Sequence, residues 1–515
     1  MLKKTLLSAA MLLALTACGD KLTGEKQANA AEEAYRQMAQ YSDVVMSRSL
    51  ATSPIFNKVS FSVDDYQKGA QEATATRKMT LDLNPIYFDG HFEKPIVVTL
   101  KDYINYADAL EKEKKIARVE TTFDVDNALF TEIGLTPEET KEVKELISHF
   151  RANTDFYQDD KTVQSFEITP ISIENKGEGI QYQGFHLTGE YNRKELNADK
   201  LLIASTGSFD SAQLTIKDNE ETIILNPFKG DMKVDKDGNV ASKTTPIEIN
   251  YSGRFQSGKF VIENIEFNGT KLSYDNTINN FLGEQRISAN NIKIEGSGLP
   301  QSVEFDSLNA NINTQKKGEL YNTQTEFSAK PRTDFLEVFG HIPNLKINEI
   351  KFIFTFNNAS ADAIRAVNTL QFALNPQART IVDSTVLENM DQIVVAGLSD
   401  IVKNKSDLTL DLAVDTQSGK ATAKAHLALD KEATIDKAQI ENALANDNIE
   451  MLMELFAQNG VAIADIVIPE SLVQATGMAP MAEQMAGPYV KKENGNYIVH
   501  LEYNKGHATI NGLPL

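Results

Sequence analysis

Residues 408–415 read Leu-Thr-Leu-Asp-Leu-Ala-Val-Asp and residues 421–429 read Ala-Thr-Ala-Lys-Ala-His-Leu-Ala-Leu, on either side of a short segment containing Ser418-Gly419. Apolar residues fill every second position in both runs, the period of a half-buried β-strand, and the Ser-Gly pair supplies a turn. Strands joined by so short a loop pair antiparallel. Upstream, Ile350, Phe352, Phe354 and Phe356 form another strand with one apolar face. Ser360 then starts a helix with the stripe Ala363, Ile364, Val367 and Leu370, and a longer helix is predicted from about Thr380 to Lys403. Downstream, Ile440, Leu444, Ile449, Leu452, Met453 and Phe456 read as one helical stretch before Asn459-Gly460. Tyr497, Val499, Leu501 and Tyr503 make a closing strand, turned at Asn504-Lys505-Gly506 toward a short return strand.

Residues 60–330 read mainly as strands, with period-two fragments such as Ile247, Ile249, Tyr251 and turn dipeptides at Asp89-Gly90, Asp237-Gly238 and Asn268-Gly269. Thr136, Pro137 and Glu139 give one inserted helix an N-cap, a first-turn proline and a capping-box acid. Hairpins with helices as inserts predict an α+β fold, predominantly antiparallel sheet and more helical in the C-terminal third. Strands of similar length with polar outer faces allow an elongated sheet curved around a groove. A chain of 515 residues is long for one core, so two α+β units are expected, residues 31–245 and 246–515. Residues 18–30 read as a flexible tether, followed by a first helix from Ala31 to about Ser53-Pro54 with Ala34, Tyr35, Met38, Tyr41 and Val45 as its stripe.

Lys3 and Lys4 precede a short apolar run, Leu6 to Ala14, which is well under the ~20 residues that span a bilayer. It ends at Leu15, Thr16, Ala17, Cys18, which resembles the lipobox of bacterial lipoproteins. That resemblance implies a signal peptide of residues 1–17, cleavage before Cys18, and diacylation of its thiol. Cys18 is the only cysteine, so the chain has no intrachain disulfide. Gly19 in place of Asp is the residue that permits transfer to the outer membrane in enteric lipoproteins. The expected location is therefore the cell envelope, anchored by lipid in the outer membrane and facing the periplasm. Loss of Lys3 and Lys4 with the signal takes the net charge from -21 to -23. Such a body neither neutralises nucleic-acid phosphates nor adheres to anionic headgroups, so nucleic acid is excluded as a partner and the acyl chains must do the anchoring.

No enzyme motif emerges. The seven histidines are scattered, His500 reads as part of a solvated strand face, and neither a nucleophile elbow nor a phosphate loop is present. Around Asp235, Asp237 and Gly238 a calcium-loop alignment puts Lys233 and Thr244 where ligands belong, so a turn is the better reading. Asp64-Asp65 and Asp159-Asp160 are adjacent acids of a kind expected by chance in a chain with 72 of them. Met451, Met453, Met478, Met481 and Met485 read first as core filling and second as an adaptable apolar surface. No catalytic residue, metal site or cofactor is therefore assigned.

The C-terminal order of strand, helices and hairpin, the segment Ala464 to Val473, and the close from Asn494-Gly495-Asn496-Tyr497 to Asn511-Gly512-Leu513-Pro514 resemble the YdgA-like family of uncharacterised bacterial envelope proteins. Tyr66, Gly69 and Thr74-Ala75 before Met79, Leu81 and Leu83 are similar to its opening motif, so the resemblance covers about residues 50–515. Members usually begin with an uncleaved anchor, where this chain has a lipobox, and the family implies no catalytic residues. The expected function is that of a non-enzymatic, membrane-anchored lipoprotein that binds or guides an apolar or extended partner, lipid or an outer-membrane substrate. The rival expectations are a structural or surface interaction lipoprotein without a ligand cavity and, as a minor alternative, an envelope hydrolase. Since only a thiol accepts the diacylglycerol, Cys18→Ser is expected to abolish palmitate incorporation and leave the precursor unprocessed; labelling equal to wild type would contradict the lipobox.

Overall fold

The computed structural model describes residues 24–515 apart from 52–55, 84–94, 108–112, 133, 176, 198–200, 300, 334–344, 374–383, 431, 446–448, 478, 481–483 and 485–488. Helix α1 (Glu25–Ala51) leads into β1 (Phe56–Lys68), β2 (Glu72–Leu83), β3 (Ile96–Asn105), β4 (Lys115–Val125) and, after α2 (Asn127–Glu132) and α3 (Pro137–Ser148), β5 (Phe150–Tyr157). Each strand pairs antiparallel with the next. The capping box is formed as expected: Thr136 Oγ1 accepts from the Glu139 amide and Glu139 accepts from the Thr136 amide.

α1 starts at Glu25, inside the stretch read as a tether, because Ala28 extends the stripe of Ala31, Ala34, Tyr35, Met38 and Ala39 back by one turn. That stripe packs on Ala73, Ala75, Ile104, Ala117, Val119 and Phe156 of the sheet. Beneath it the Asp102 side chain is wholly buried and accepts from Tyr35 Oη (2.6 Å), Arg77 Nε (2.8 Å) and the Thr121 hydroxyl. Burial alone would lower the Arg77 pKa, but its attraction to Asp102 outweighs this and holds the guanidinium charged. Burial, then the Asp102 charge, raise the Tyr35 hydroxyl far above its ordinary range, so it stays a donor.

From β6 to β15 the strands are jointed in pairs. β6 (Lys161–Ile168) continues past Thr169-Pro170 as β7 (Ile171–Asn175), and β8 (Glu178–Tyr182) past Gln183-Gly184 as β9 (Phe185–Asn192). β10 (Ser205–Ser211) and β11 (Leu214–Lys217), β12 (Glu221–Leu225) and β13 (Phe228–Val234), and β14 (Val240–Thr244) and β15 (Ile247–Gly253) repeat the joint at Ala212-Gln213, Asn226-Pro227 and Thr245-Pro246. Proline has no amide to give a ladder and is tolerated at such interruptions. The joints align from strand to strand, so the sheet is creased along a line. On one side of the crease run the pairings β6–β9–β10–β13–β14, and on the other β7–β8–β11–β12–β15.

Both sides meet on β16 (Ser257–Asp275), which pairs with β15 through its first half and with β14 through its second. Asn268-Gly269, expected to be a hairpin turn, lies inside this strand: its partners Arg286 and Gln285 continue the ladder, and Leu272 fills the space a side chain at Gly269 would need. The boundary expected at residues 245 and 246 falls within the ladder that β14 and β15 make with β16. β17 (Asn280–Gly296), β18 (Val303–Lys317), β19 (Leu320–Pro331) and β20 (Ile347–Ala359) follow in sequence order.

Ser360 Oγ accepts from the Ala363 amide to start α4 (Ala361–Ala373), as expected, and α5 (Ser384–Asn404) follows. Gly397 lets these helices touch, since a side chain there would strike Ala366 and the Asp362 carbonyl. β21 (Asp407–Thr416) and β22 (Gly419–Leu429) form the hairpin read from the sequence, with Leu408, Leu410, Leu412 and Val414 opposite Leu427, Ala425, Ala423 and Ala421. The single helix expected around Ile440 to Phe456 is two, α6 (Lys437–Ala445) and α7 (Ile449–Asn459); Val394, Val395, Val402, Ile435, Ile440 and Leu452 build a second core between them and α5. β23 (Gly460–Pro469), α8 (Glu470–Ala475), β24 (Lys491–Glu493), β25 (Asn496–Asn504), β26 (His507–Ile510) and β27 (Leu513–Pro514) follow, and the 27 strands among the described residues join one sheet. The helical enrichment expected of the C-terminal third is not shown, and the longest helix, α1, stands at the N-terminus.

Removing Asp102 would leave the buried Arg77 charge beneath α1 with only its longer, 3.5 Å contact to Asp43. Asp102→Ala is expected to cost about 3–5 kcal/mol and to make α1 sensitive to protease, whereas Tyr35→Phe should cost about 1 kcal/mol. Denaturant unfolding and limited proteolysis check this, and an unchanged midpoint for Asp102→Ala would contradict it.

Candidate functional site

The antiparallel register lines up side chains from strand to strand. Met232, Ser242, Phe267, Ile287, Ala310, Phe327, Phe352, Leu412, Ala423, Ile466 and Val499 stand directly opposite one another on successive strands from β13 to β25. At about 4.8 Å per strand this row is about 48 Å long. It contains no charge. The flanking row Ile265, Ala289, Leu308, Ala329, Ile350, Val414, Ala421 is likewise uncharged.

Beyond the crease a second row repeats the pattern: Ile171, Tyr182, Leu214, Leu225, Ile249, Phe260, Ile294 and Val303 are again in direct register. The Tyr182 and Ser211 hydroxyls meet at 3.0 Å across the crease. This face is therefore concave, a trough with Ile171, Ser211 and Ile292 buried beside the crease as its floor. Along one wall Phe150, Phe166, Phe185, Phe209 and Phe228 form a chain of ring contacts, stacked between Phe185 and Phe209 and tilted or edge-on elsewhere, with centroids 5.8–6.3 Å apart. A side chain at Gly230 would collide with the Phe209 ring, so glycine is what lets that ring lie flat on the sheet.

The walls are not covered. Met232, Ile287, Leu308, Phe327, Leu412 and Leu427 on one side and Ile180, Ile216 and Ile223 on the other are exposed, with Phe327 at 50%. Water contact over that much contiguous apolar surface marks an interaction site. The opposite face is charged and self-satisfied. Lys351 pairs with Glu326 (2.7 Å), Lys243 with Glu266 (2.8 Å), and Arg332 with Asp306 (2.6 Å).

The residues singled out in the sequence lie elsewhere. Leu15, Thr16, Ala17 and Cys18 are outside the described residues, as are Asp89-Gly90, His91, His341, Met478, Met481 and Met485. Asp235 accepts from the amides of Asp237 and Asn239 and closes the turn read there. Asp160 pairs with Lys194 (2.5 Å). Met451 packs on the helical core, whereas Met453 is exposed. His500 is held between Asp465 (2.7 Å) and Glu502 (2.9 Å) on the polar face, and hydrogen bonds first to Glu502 and then to Asp465 raise its pKa. Among the described residues no three metal-donor side chains cluster and no helix is long and apolar enough to cross a membrane. The sequence reading allowed a groove without placing it, because its rows join residues far apart in the chain; the local signals were Pro170, Pro227 and Pro246 interrupting strand runs.

No curated protein and no solved structure matches the chain. One family does, described as a bacterial protein of unknown function, DUF945, and it aligns with residues 2–515. Matched over nearly its whole length, the chain belongs to the DUF945 family of bacterial proteins.

Proposed function

We propose that this is a non-enzymatic, YdgA-like lipoprotein of the bacterial envelope, diacylated at Cys18 and held in the outer membrane facing the periplasm, whose trough carries the acyl chains of lipids. The observation that carries this reading is the uncharged concave face with its exposed rows of Phe, Leu and Ile. The interior strands of that face pair with a neighbour on each side, so the face has no row of free amides or carbonyls for an occupant to use. A polypeptide laid there in extended form would lose hydrogen bonds to water without replacement, a loss of about 1–3 kcal/mol per group. An acyl chain has no such groups and gains about 0.8 kcal/mol per buried methylene. A second reading, an interaction lipoprotein whose face is covered by a partner, has one observation in its favour. α1 is a helix, internally hydrogen-bonded, lying on this same face over β2–β5.

The chain has no tryptophan, so Phe327→Trp places a single reporter in the trough. Lipid is expected in organic extracts of the purified protein, and emission from the variant should be quenched by brominated acyl chains. Adding Phe327→Asp and Phe352→Asp to the otherwise native chain should lower lipid occupancy about tenfold or more, given about 1.5–3 kcal/mol per large apolar contact. Lipid-free extracts together with unquenched emission would overturn the proposal.

A further inference from the structure

The second wall of the trough ends in a lip. Ile180, Ile216, Ile223 and Tyr251 stand in direct register on β8, β11, β12 and β15, and all three isoleucines are exposed. Two residues past the end of β15 the row runs out onto the hairpin tip that joins it to β16, where Phe255 is 84% exposed, the most of any large apolar side chain among the described residues. The Arg254 guanidinium lies 5.3 Å from the Phe255 ring centroid and makes no ion pair among the described residues. Gly253 and Gly258 flank the tip; a side chain at Gly253 would strike the Tyr251 hydroxyl, which donates to Glu221 on the neighbouring strand β12 (2.8 Å).

We propose that this tip and the isoleucine lip behind it form a bilayer-contact edge, at which Phe255 enters the interfacial region, Arg254 meets a lipid phosphate, and acyl chains pass along Ile223, Ile216 and Ile180 into the trough. The proposal rests on the reading of the trough as a lipid track. A bilayer fits better than a protein on grounds of area: a stable protein interface buries about 1,000 Å² or more, whereas one phenylalanine supplies about 150–250 Å². Such a side chain acts as a second, weak membrane signal beside a covalent anchor. An unpaired arginine beside an aromatic ring is the pairing that membrane interfaces favour. The exposed acids around the lip, Glu178, Asp218, Glu220 and Glu221, outnumber the exposed Lys217 and Arg254 and specify which bilayer, because an anionic surface repels the excess. The edge therefore takes lipids with zwitterionic headgroups.

Phe255→Trp again gives a single reporter in a chain without tryptophan. The purified lipidated protein is reconstituted into phosphatidylcholine vesicles with and without brominated acyl chains. Emission is expected to shift to shorter wavelength and most of it to be lost to the brominated lipid. Replacing part of the phosphatidylcholine with phosphatidylglycerol should weaken the quenching, and adding Arg254→Glu should weaken it without moving the unfolding midpoint. Emission at the water-exposed wavelength, unquenched, overturns the proposal, as does quenching that grows with phosphatidylglycerol or is unchanged by Arg254→Glu. A silent Phe255→Trp protein beside a responsive Phe327→Trp protein overturns the lip alone, whereas silence of both overturns the track as well.

Discussion

Hydrogen bonding between strands that are neighbours in sequence determines everything else in this molecule. Outside the crease each strand up to β23 pairs with the one before and the one after it, β25 then pairs with both β23 and β24, and within the crease the jointed strands pair half by half. A meander of this kind grows sideways without folding back over itself. Its backbone groups are satisfied in the plane, so nothing forces a second layer onto its apolar face. Most folds bury such a face against helices or another sheet. Here α1 covers it near the N-terminus and the α5–α7 core stands at the C-terminal helices, while the rows between β13 and β25 stay in contact with water.

The crease converts a flat apolar face into a container. Its cause is local and chemical: Pro170, Pro227 and Pro246 cannot donate, and each falls where neighbouring strands are also interrupted. Beyond them the bend is carried by polar side chains, with Asn290 Nδ2 donating to Asn264 (2.8 Å) and Arg332 donating to Asn291 (2.7 Å) on the outer face. Those pairs hold the back of the sheet while Tyr182 and Ser211 close the front. At the N-terminal end the buried Asp102 and Arg77 pair fixes where α1 rests, since displacing the helix would expose an ion pair together with an alanine surface that nothing else fills.

Local patterns carried much of the architecture. Alternation at 408–429 and 350–356, the capping box at Thr136 and the Ser360 cap fixed strands and helices whose causes lie within a few residues. Asn268-Gly269 misled because an Asn-Gly pair in isolation favours a hairpin turn, yet in β16 the glycine is there to make room for Leu272. The tether reading failed at Ala28 for a similar reason, since its burial against the sheet comes from tertiary contact. The trough was the least legible part. Phe267, Phe327, Phe352 and Leu412 become one row only after six strands are set in register, and no short-range signal sets it.

The central claim, that the bare face holds acyl chains, is tested most directly by photocrosslinking in living cells. A benzophenone amino acid is placed at Phe352 or Leu412 on the trough wall and, separately, at Lys351 or Asp411 on the outer face, and the adducts are identified by mass spectrometry. Lipid adducts at the first pair and none at the second are the predicted result. Adducts to protein alone at Phe352 and Leu412, or lipid adducts equally frequent on both faces, would contradict it.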